Sequence, residues 1–545
     1  MPVPTDRSKI LSEITALEEK LTALKAETSQ AEEMLTSLRD SLQNLEEPQA
    51  GATASTTRDS CHPHHTPDEK VALFRSLFRG RDDIYPQMWV NQKTGKKGYS
   101  PACDNEWVRG VCNKPRVKCG ECPNQSFVAV TSKTLLDHLK GRHVIGVYPL
   151  LRDETSWFLA VDFDKASWKD DVSAFARTCH RFNLPVAVER SQSGNGAHAW
   201  FFFEAPVPAT IARKMGCFLI TETMSQHHQL SMSSYDRLFP NQDTMPKGGF
   251  GNLIALPLQY QARQSGNTLF MDEDLMPYPD QWAFLASITR IPRQCIEEVT
   301  IKASSTGQIL GIQASESDDD FVLEPWLEKP ARLPEKIHIT EPVPKEVNVT
   351  LSQRLYIDKT HLPSPLINQI KRIAAFQNPE FYKKQAFRLS TAMTPRVIAC
   401  AEDHKNHISL PRGCLEELKQ LLDEYGINIS LDDIRIEGKS VNVEFKGRLS
   451  DDQDKAAQSL LLHDTGVFVA PPGTGKTVLA TYLIAARNCS TLILVHRQPL
   501  LEQWRAQLGL FLDLEQNKIG MIGGGKKKIT GNIDVAMIQS VVRQD

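Results

Sequence analysis

At 545 residues the chain is long enough for several domains, roughly three or four. A formal net charge of −3 excludes a globally basic nucleic-acid binder, so any attraction to phosphate must come from local patches of Lys and Arg. No run is apolar enough to span a bilayer, no secretory signal opens the chain, and eleven cysteines without such a signal read as thiols or metal ligands. These features point to the cytoplasm and to no membrane partner.

Residues 7–47 carry an uninterrupted heptad in which Ile10, Ile14, Leu17, Leu21, Leu24, Thr28, Ala31, Leu35, Leu38, Leu42 and Leu45 alternate in steps of three and four. This narrow stripe predicts a coiled coil and a homo-oligomer formed through it. Residues 48–67 are rich in Ala, Thr, Ser, Pro and His and read as a flexible linker, so Cys61 and its neighbouring histidines are expected to be solvated. An amphipathic helix follows over 68–80, and from about 84 to 285 short strands and helices alternate.

Cys103, Cys112, Cys119 and Cys122 fall within twenty residues, and Cys119-Gly-Glu-Cys122 is a CxxC knuckle. Four thiolates close a tetrahedral structural Zn²⁺ site, with His138 or His143 as the alternative to Cys103 for the fourth ligand. Next comes the apolar run Phe158-Leu-Ala-Val-Asp-Phe-Asp164. In a strand Asp162 and Asp164 share a face and Phe163 points into the core behind them. Adjacent carboxylates repel unless neutralised, and hard Mg²⁺ or Mn²⁺ ions are the usual solution, which suggests two-metal nucleotidyl transfer. Downstream, Ser193, Gly194, Asn195 and Gly196 form a small loop whose backbone can approach phosphate closely, and His198 opens the strand after it, within reach of a triphosphate. Asp236 offers a third carboxylate, with Asp243 as the alternative, and Arg237 and Lys247 are candidate phosphate or template contacts.

Residues 303–335 are acidic and polar, as an interdomain linker is. Residues 336–447 form a mixed accessory segment ending in the strand-like Ser440-Val-Asn-Val-Glu-Phe445, and no chemistry follows from them. From Leu449 onward the pattern is helix, strand, Gly-rich loop, helix, strand. Ala470-Pro-Pro-Gly-Thr-Gly-Lys-Thr477, behind the expected strand Val467-Phe-Val469, is a Walker A loop with Ala470 in place of the usual first Gly. Gly473, Thr474 and Gly475 cradle ATP phosphates, Lys476 neutralises their charge, and Thr477 can hold Mg²⁺. Gly523-Gly-Gly-Lys-Lys-Lys528 reads as a mobile basic loop.

The order hydrophobic-DxD, SGxGxH, hydrophobic-D resembles the three motifs of archaeo-eukaryotic primases and primase-polymerases. The segments around Cys103 to Cys119, Gly146-Val-Tyr-Pro149, Leu238-Phe-Pro-Asn-Gln-Asp243 and Gly249-Phe-Gly-Asn-Leu-Ile-Ala-Leu-Pro257 resemble the primase domain of TOTE conflict systems. The resemblance implies an RRM-like catalytic core over 68–290, with Asp162, Asp164 and Asp236 as metal ligands and Ser193 and His198 binding the incoming nucleoside triphosphate. It also implies a role against invading DNA. The flanks of the P-loop resemble superfamily 2 helicases: Leu449-Ser-Asp-Asp-Gln453 is similar to the glutamine motif that reads adenine, and Leu494-Val-His-Arg497 to motif Ia.

The expectation is a multidomain α/β and α+β protein: coiled coil, primase core with a zinc knuckle, accessory segment, and an incomplete RecA-like P-loop domain over 449–545. No Walker B motif precedes Asp545, so ATP binding with little hydrolysis is expected; the sequence reads as a fragment, an interrupted gene or a split system in which a separate chain carries the rest of the helicase. The expected activity is template-dependent nucleotidyl transfer on single-stranded or template-primer DNA. The competing readings are an ATP-dependent helicase component and a non-catalytic coiled-coil scaffold that binds DNA.

Overall fold

A computed structural model describes residues 66–164, 166–305 and 339–542. The coiled coil expected over 7–47 lies outside the described residues, as do the linker up to residue 65 and the acidic linker beyond residue 305.

Helix α1 (Pro67–Leu77) starts where Thr66 and Glu69 form a reciprocal capping box and Pro67 needs no amide partner; it buries Val71, Phe74 and Leu77. The hairpin β1 (Pro86–Val90) and β2 (Lys97–Pro101) leads into the cysteine segment, and α2 (Ser132–Leu139) and β3 (Gly146–Val147) follow it. The core then runs β4 (Thr155–Phe163), α3 (Trp168–Arg181), β5 (Ala187–Arg190), β6 (Ala197–Pro208), α4 (Ala209–Gln226) and β7 (Leu238–Phe239). This β-α-β-β-α-β succession builds an antiparallel sheet ordered β7-β4-β6-β5, extended by β9 (Phe270–Met271) at the β5 edge. Between β3 and β9, β8 (Ile254–Ala255) pairs with β3, and α5 (Tyr260–Arg263) is a single turn.

The apolar runs of β4 and β6 are continuous because both faces of the sheet are covered. Leu159, Val161, Phe163, Phe201 and Phe203 pack on the side of α3 and α4. Phe158, Ala160, Trp200 and Phe202 pack on the opposite side with Phe74 and Phe78. Helices α6 (Gln281–Ser287) and α7 (Arg293–Ser305) close the domain, α7 against α4.

The accessory segment has its own core around a five-stranded sheet, β14 (Glu402–Asp403), β15 (His407–Leu410), β11 (Leu355–Asp358), β10 (Glu346–Leu351) and β16 (Asn428–Asp433), in that spatial order. Helices α8 (Ser364–Ile373) and α10 (Leu415–Glu424) pack on it, and β12 (Ala375–Gln377) pairs with β13 (Val397–Ala399) beside α9 (Pro379–Ala386). This segment is fastened to the preceding core: α8 packs on α4, Lys371 Nζ donates to His228 O at 2.7 Å, and Lys247 N donates to Arg388 O at 2.8 Å.

In the C-terminal part, α11 (Asp451–Leu461), α12 (Lys476–Arg487) and α13 (Gln498–Phe511) accompany a sheet ordered β17 (Thr491–Val495), β20 (Ile533–Met537), β18 (Gly520–Gly523), β19 (Lys526–Lys528), with α14 (Ile538–Val542) last. Three expectations fail here. Val467–Val469 forms no strand: Val467 and Val469 are each 87 % exposed, since an apolar strand of this type needs neighbours and no described strand pairs with it. Ser440–Phe445 forms no strand either: beyond a single bridge of Ser440 to Cys489, Val441 N bonds to Asn488 O and Lys446 N to Phe511 O, at helix ends. The glycine-lysine run is not a loose loop. It turns so that Lys526–Lys528 pair back on Gly520–Gly523 as an edge strand, where exposed lysines are tolerated. No helix among the described residues is long and apolar enough to cross a membrane.

Candidate active site

Register decides which polar side chains meet. Asp162, near the end of β4, pairs with His198 at the start of β6, and His198 pairs with Glu189 on β5. Paired residues share a face, so the three stand in a row across three adjacent strands. His198 Nδ1 lies 2.9 Å from Glu189 Oε2, and its Nε2 lies 3.8 Å from Asp162 Oδ1. Glu189 is 1 % exposed and also accepts from Trp200 Nε1 at 2.9 Å. Burial works against an imidazolium at His198, but the Glu189 charge and hydrogen bond, with Asp162 behind them, outweigh it and raise its pKa. The result is a ring held in one orientation, in which the two carboxylates favour the protonated form.

Phe163 turns into the core against Phe175, as alternation requires. Asp164, just beyond the strand, and Asp162 both meet Arg237: its Nη1 is 3.3 Å from Asp162 Oδ2 and also contacts Asp164. Arg237 is carried to this position by β7, where Asp162 N donates to Arg237 O at 3.0 Å. Its guanidinium supplies the neutralising charge that the pair demands. Burial raises the Asp162 pKa, opposed by His198 and Arg237 and assisted by Asp164. The donors are hard carboxylate oxygens, partly open to solvent, which fits Mg²⁺ or Mn²⁺. Among the described residues, however, no three His, Cys, Asp or Glu side chains are gathered as an ion cage.

The third carboxylate explains this. Asp236 ends a 3-10 turn (Met232–Asp236) and its Oδ1 accepts from Arg396 N at 2.6 Å; the charges that bear on it are Arg396 and Arg237, not the aspartate pair. Asp243 is not available as a substitute. It is sealed in an ion pair with the buried Arg213, at 2.5 Å to Nε and 2.7 Å to Nη2, and accepts from Gln385. That pairing holds its pKa down at about 2 despite burial. Lys247 is exposed.

The loop between β5 and β6 closes on itself. Ser193 Oγ accepts from Asn195 N at 3.2 Å and lies 3.1 Å from Ser191 Oγ, while Arg190 Nε donates to Gly194 O. Gly196 is needed for close approach: a Cβ there would sit 2.6 Å from Phe163 O. The loop is thereby pressed against the end of the aspartate strand.

The four cysteines line one small cavity, but among the described residues no three of them are gathered as a metal cage. Cys103 Sγ accepts from Ser126 N, and backbone amides of Lys114 and Trp107 lower the Cys112 pKa. Neither histidine alternative lines it. His138 is buried with Nε2 bonded to Pro257 O and Nδ1 to Ile145 N, its pKa near 4 from burial, and His143 bonds to Thr134 O.

At the P-loop, Gly475 adopts φ 76°, a left-handed conformation that opens α12. Lys476 Nζ donates to Ala470 O and Pro471 O, both at 2.8 Å. Thr474 and Thr477 flank it, the first donating to Pro471 O. Gln453 is engaged at both ends of its amide: Oε1 caps Ser450 N and Nε2 donates to Thr474 O at 2.9 Å. In this arrangement it braces the P-loop rather than presenting a free edge to a base.

Residues 69–299 match the family model described as TOTE conflict system, Archaeo-Eukaryotic Primase domain. Residues 446–545 match the one described as Type III restriction enzyme, res subunit. The expected joining of a primase-type domain to a superfamily 2 helicase-type domain is met. Similar curated proteins include a putative DNA 3'-5' helicase Rad25 of Haloarcula marismortui, 37 % identical over 21 % of this chain and 18 % of that protein. Another is the DNA 3'-5' translocase XPB2 of Sulfurisphaera tokodaii, 33 % identical over 16 % and 20 %. The chain thus spans about a fifth of the length of the curated relatives it matches. Among solved structures, the UvsW helicase from Bacteriophage T4 aligns at TM-score 0.27 and 16 % identity, over 37 % of this chain and 77 % of that one. The polymerase domain of Mycobacterium tuberculosis Ligase D in complex with DNA aligns at 0.23 and 13 %, over 45 % and 91 %.

Two participants in the primase-type site escaped the sequence reading. Glu189 carries a detectable signal, an acid inside the short apolar strand preceding the glycine loop, but its partner His198 is set only by the hairpin register. Arg396 carries none, because it lies 160 residues beyond Asp236 in another segment.

Proposed function

We propose that the primase-type domain joins nucleotides on a DNA template, and that the row Asp162, His198, Glu189 with Asp164 and Arg237 is its active centre. The observation that carries this reading is the meeting of an acidic pair and an oriented histidine at one end of β4 and β6. Asp162 and Asp164 would hold Mg²⁺ or Mn²⁺, which supplies Lewis-acid stabilisation of the attacking 3′-oxygen and the leaving pyrophosphate. His198, fixed by Glu189, would bind the triphosphate, and Ser193 to Gly196 would border it. Arg237 would pass from the carboxylates to phosphate as the cations bind. Asp236 would join as third ligand only by leaving the Arg396 amide. The β-α-β-β-α-β order of the sheet supports an RRM-like core, and the description of the matched family supports a role in conflict with invading DNA. Self-association through residues 7–47 belongs to the same reading, supported by the heptad. The test is incorporation of labelled nucleotide on a primed template with Mn²⁺: a folded protein that incorporates nothing overturns the proposal.

Cys103, Cys112, Cys119 and Cys122 would hold one structural Zn²⁺, supported by their common cavity and the amide donors to sulfur. Purified protein is expected to carry about one zinc per chain, and Cys112→Ser far less; metal analysis at well below one per chain for the unaltered protein rejects the site.

The helicase-type domain would bind ATP at Gly473–Thr477, supported by the left-handed Gly475 and the helix start behind it. Lys476→Ala is expected to weaken ATP binding by at least tenfold in an equilibrium titration, because a cation on the β/γ-phosphates is lost. Equal affinity in the variant would remove this site from the reading.

A further inference from the structure

The chain is acidic overall, yet residues 89–118 carry seven basic side chains against two acidic ones. This stretch is the β1–β2 hairpin together with the first half of the cysteine knuckle. Lys93, Lys96, Lys97, Arg109, Arg116 and Lys118 are all exposed. Two tryptophans stand among them. Trp107 is 68 % exposed, and Trp89 is 42 % exposed. Trp107 also adopts φ 62°, a left-handed backbone that a bulky side chain rarely takes. Its indole therefore stands outward, with most of the ring open to a ligand.

Register ties this arm to the active centre. Met88 pairs with Tyr99 and Trp89 with Gly98, so Met88 and Tyr99 face one way and Trp89 the other. On the inner side, Gln192 of the glycine loop donates to Met88 Sδ, and the buried Tyr99 hydroxyl lies within reach of the Glu189 charge. On the outer side, the Trp89 ring lies across Gly98, where a Cβ would come within 2.5 Å of it. Glu106 then joins hairpin to knuckle, accepting from Ser100 Oγ at 3.1 Å and from Lys114 Nζ at 2.6 Å. Lys114 Nζ in turn sits 5.8 Å from the centre of the Trp107 ring. A chain of contacts therefore leads from the glycine loop beside His198, through the hairpin and Glu106, to Trp107.

Exposed aromatic rings alternating with unshielded cations match the chemistry of an unpaired nucleic-acid strand, whose bases stack while its phosphates are neutralised. We infer that residues 86–118 form an arm that carries the single-stranded template away from the active centre, with Trp89 and Trp107 as base-stacking platforms. This inference rests on the template-directed reading above, which it deepens by naming the template's path. Membership of the site makes a distinct demand: the arm must recognise bases as well as charge.

The full chain is tested with a fluorescent oligothymidylate and an abasic strand of the same length by anisotropy, and with a 5-iodouracil strand by photocrosslinking and mass spectrometry. Trp107→Ala and Trp89→Ala are each expected to weaken oligothymidylate binding about tenfold and to leave abasic binding unchanged. Arg109→Ala combined with Arg116→Ala is expected to lower the slope of log affinity against log salt by about one to two. Crosslinks are expected at Trp89 or Trp107. Binding within twofold of the unaltered protein in both tryptophan variants, equal affinity for the abasic strand, or crosslinks confined to residues 446–545 would each overturn the arm. These readouts need no turnover. Trp-dependent binding without incorporation leaves the arm standing and rejects the catalytic reading. Incorporation with Trp-independent binding does the reverse.

Discussion

Asp162→Ala combined with Asp164→Ala is expected to lower template-directed incorporation by about 10³-fold or more while leaving the protein folded. Metal ions that stabilise developing charge contribute several kcal/mol, and each 1.36 kcal/mol is a factor of ten. The fold should survive because the carboxylates stand at the end of β4, partly solvated, and the apolar residues behind them are untouched. Arg237 loses its partners but is itself 29 % exposed, so the unpaired cation is hydrated rather than stranded. Single-turnover incorporation with Mn²⁺, beside circular dichroism of the same sample, measures both halves. Retained incorporation in the double variant would move the chemistry elsewhere. Glu189→Gln separates roles within the site: losing the charge that favours the His198 imidazolium should raise the nucleotide KM more than it lowers kcat.

The second large effect is on stability. Asp243→Ala is expected to cost about 3–5 kcal/mol, because it leaves the Arg213 guanidinium buried without its counter-charge. Arg396 is also fully buried close by, so the deletion leaves two cations facing each other in a dry interior. The same pair sets a pH dependence. Asp243 has a folded value near 2, below its ordinary 3.8, so its stabilisation is complete above the ordinary value and is lost as pH falls through about 2. Urea unfolding at neutral pH checks the first part: a loss under about 1 kcal/mol would show that the cluster relaxes or hydrates. Because Gln385 and the Arg396 backbone come from the accessory segment, this interface is where residues 336–447 act on the primase-type domain. The sequence offered no chemistry for them; the structure makes them a brace for Asp236 and Asp243.

Local chemistry was legible in the sequence. The acidic pair followed from period-two alternation, with Phe163 turned inward as alternation requires. The glycine loop followed from the need for close backbone approach, and the P-loop from a fixed spacing of Gly, Lys and Thr. Each of these depends on neighbours within a few residues, where backbone geometry alone dictates the arrangement. The strand expected at Val467–Val469 failed for the opposite reason: apolar content suits a central strand only when other strands flank it. That His138 stands apart from the cysteines also lay beyond the sequence, because it spends both ring nitrogens inside the core.

By itself, then, the sequence determined where carboxylates, thiols and glycine-freed backbone lie, and the order in which the chain presents them. Only the tertiary structure decided which of them meet. Register brought Glu189 to His198, β7 brought Arg237 to the aspartates, and a buried Arg213 removed Asp243 from the candidate ligands. These contacts join residues nine to 75 positions apart, and their geometry is fixed by strand pairing and close packing, which no local pattern encodes.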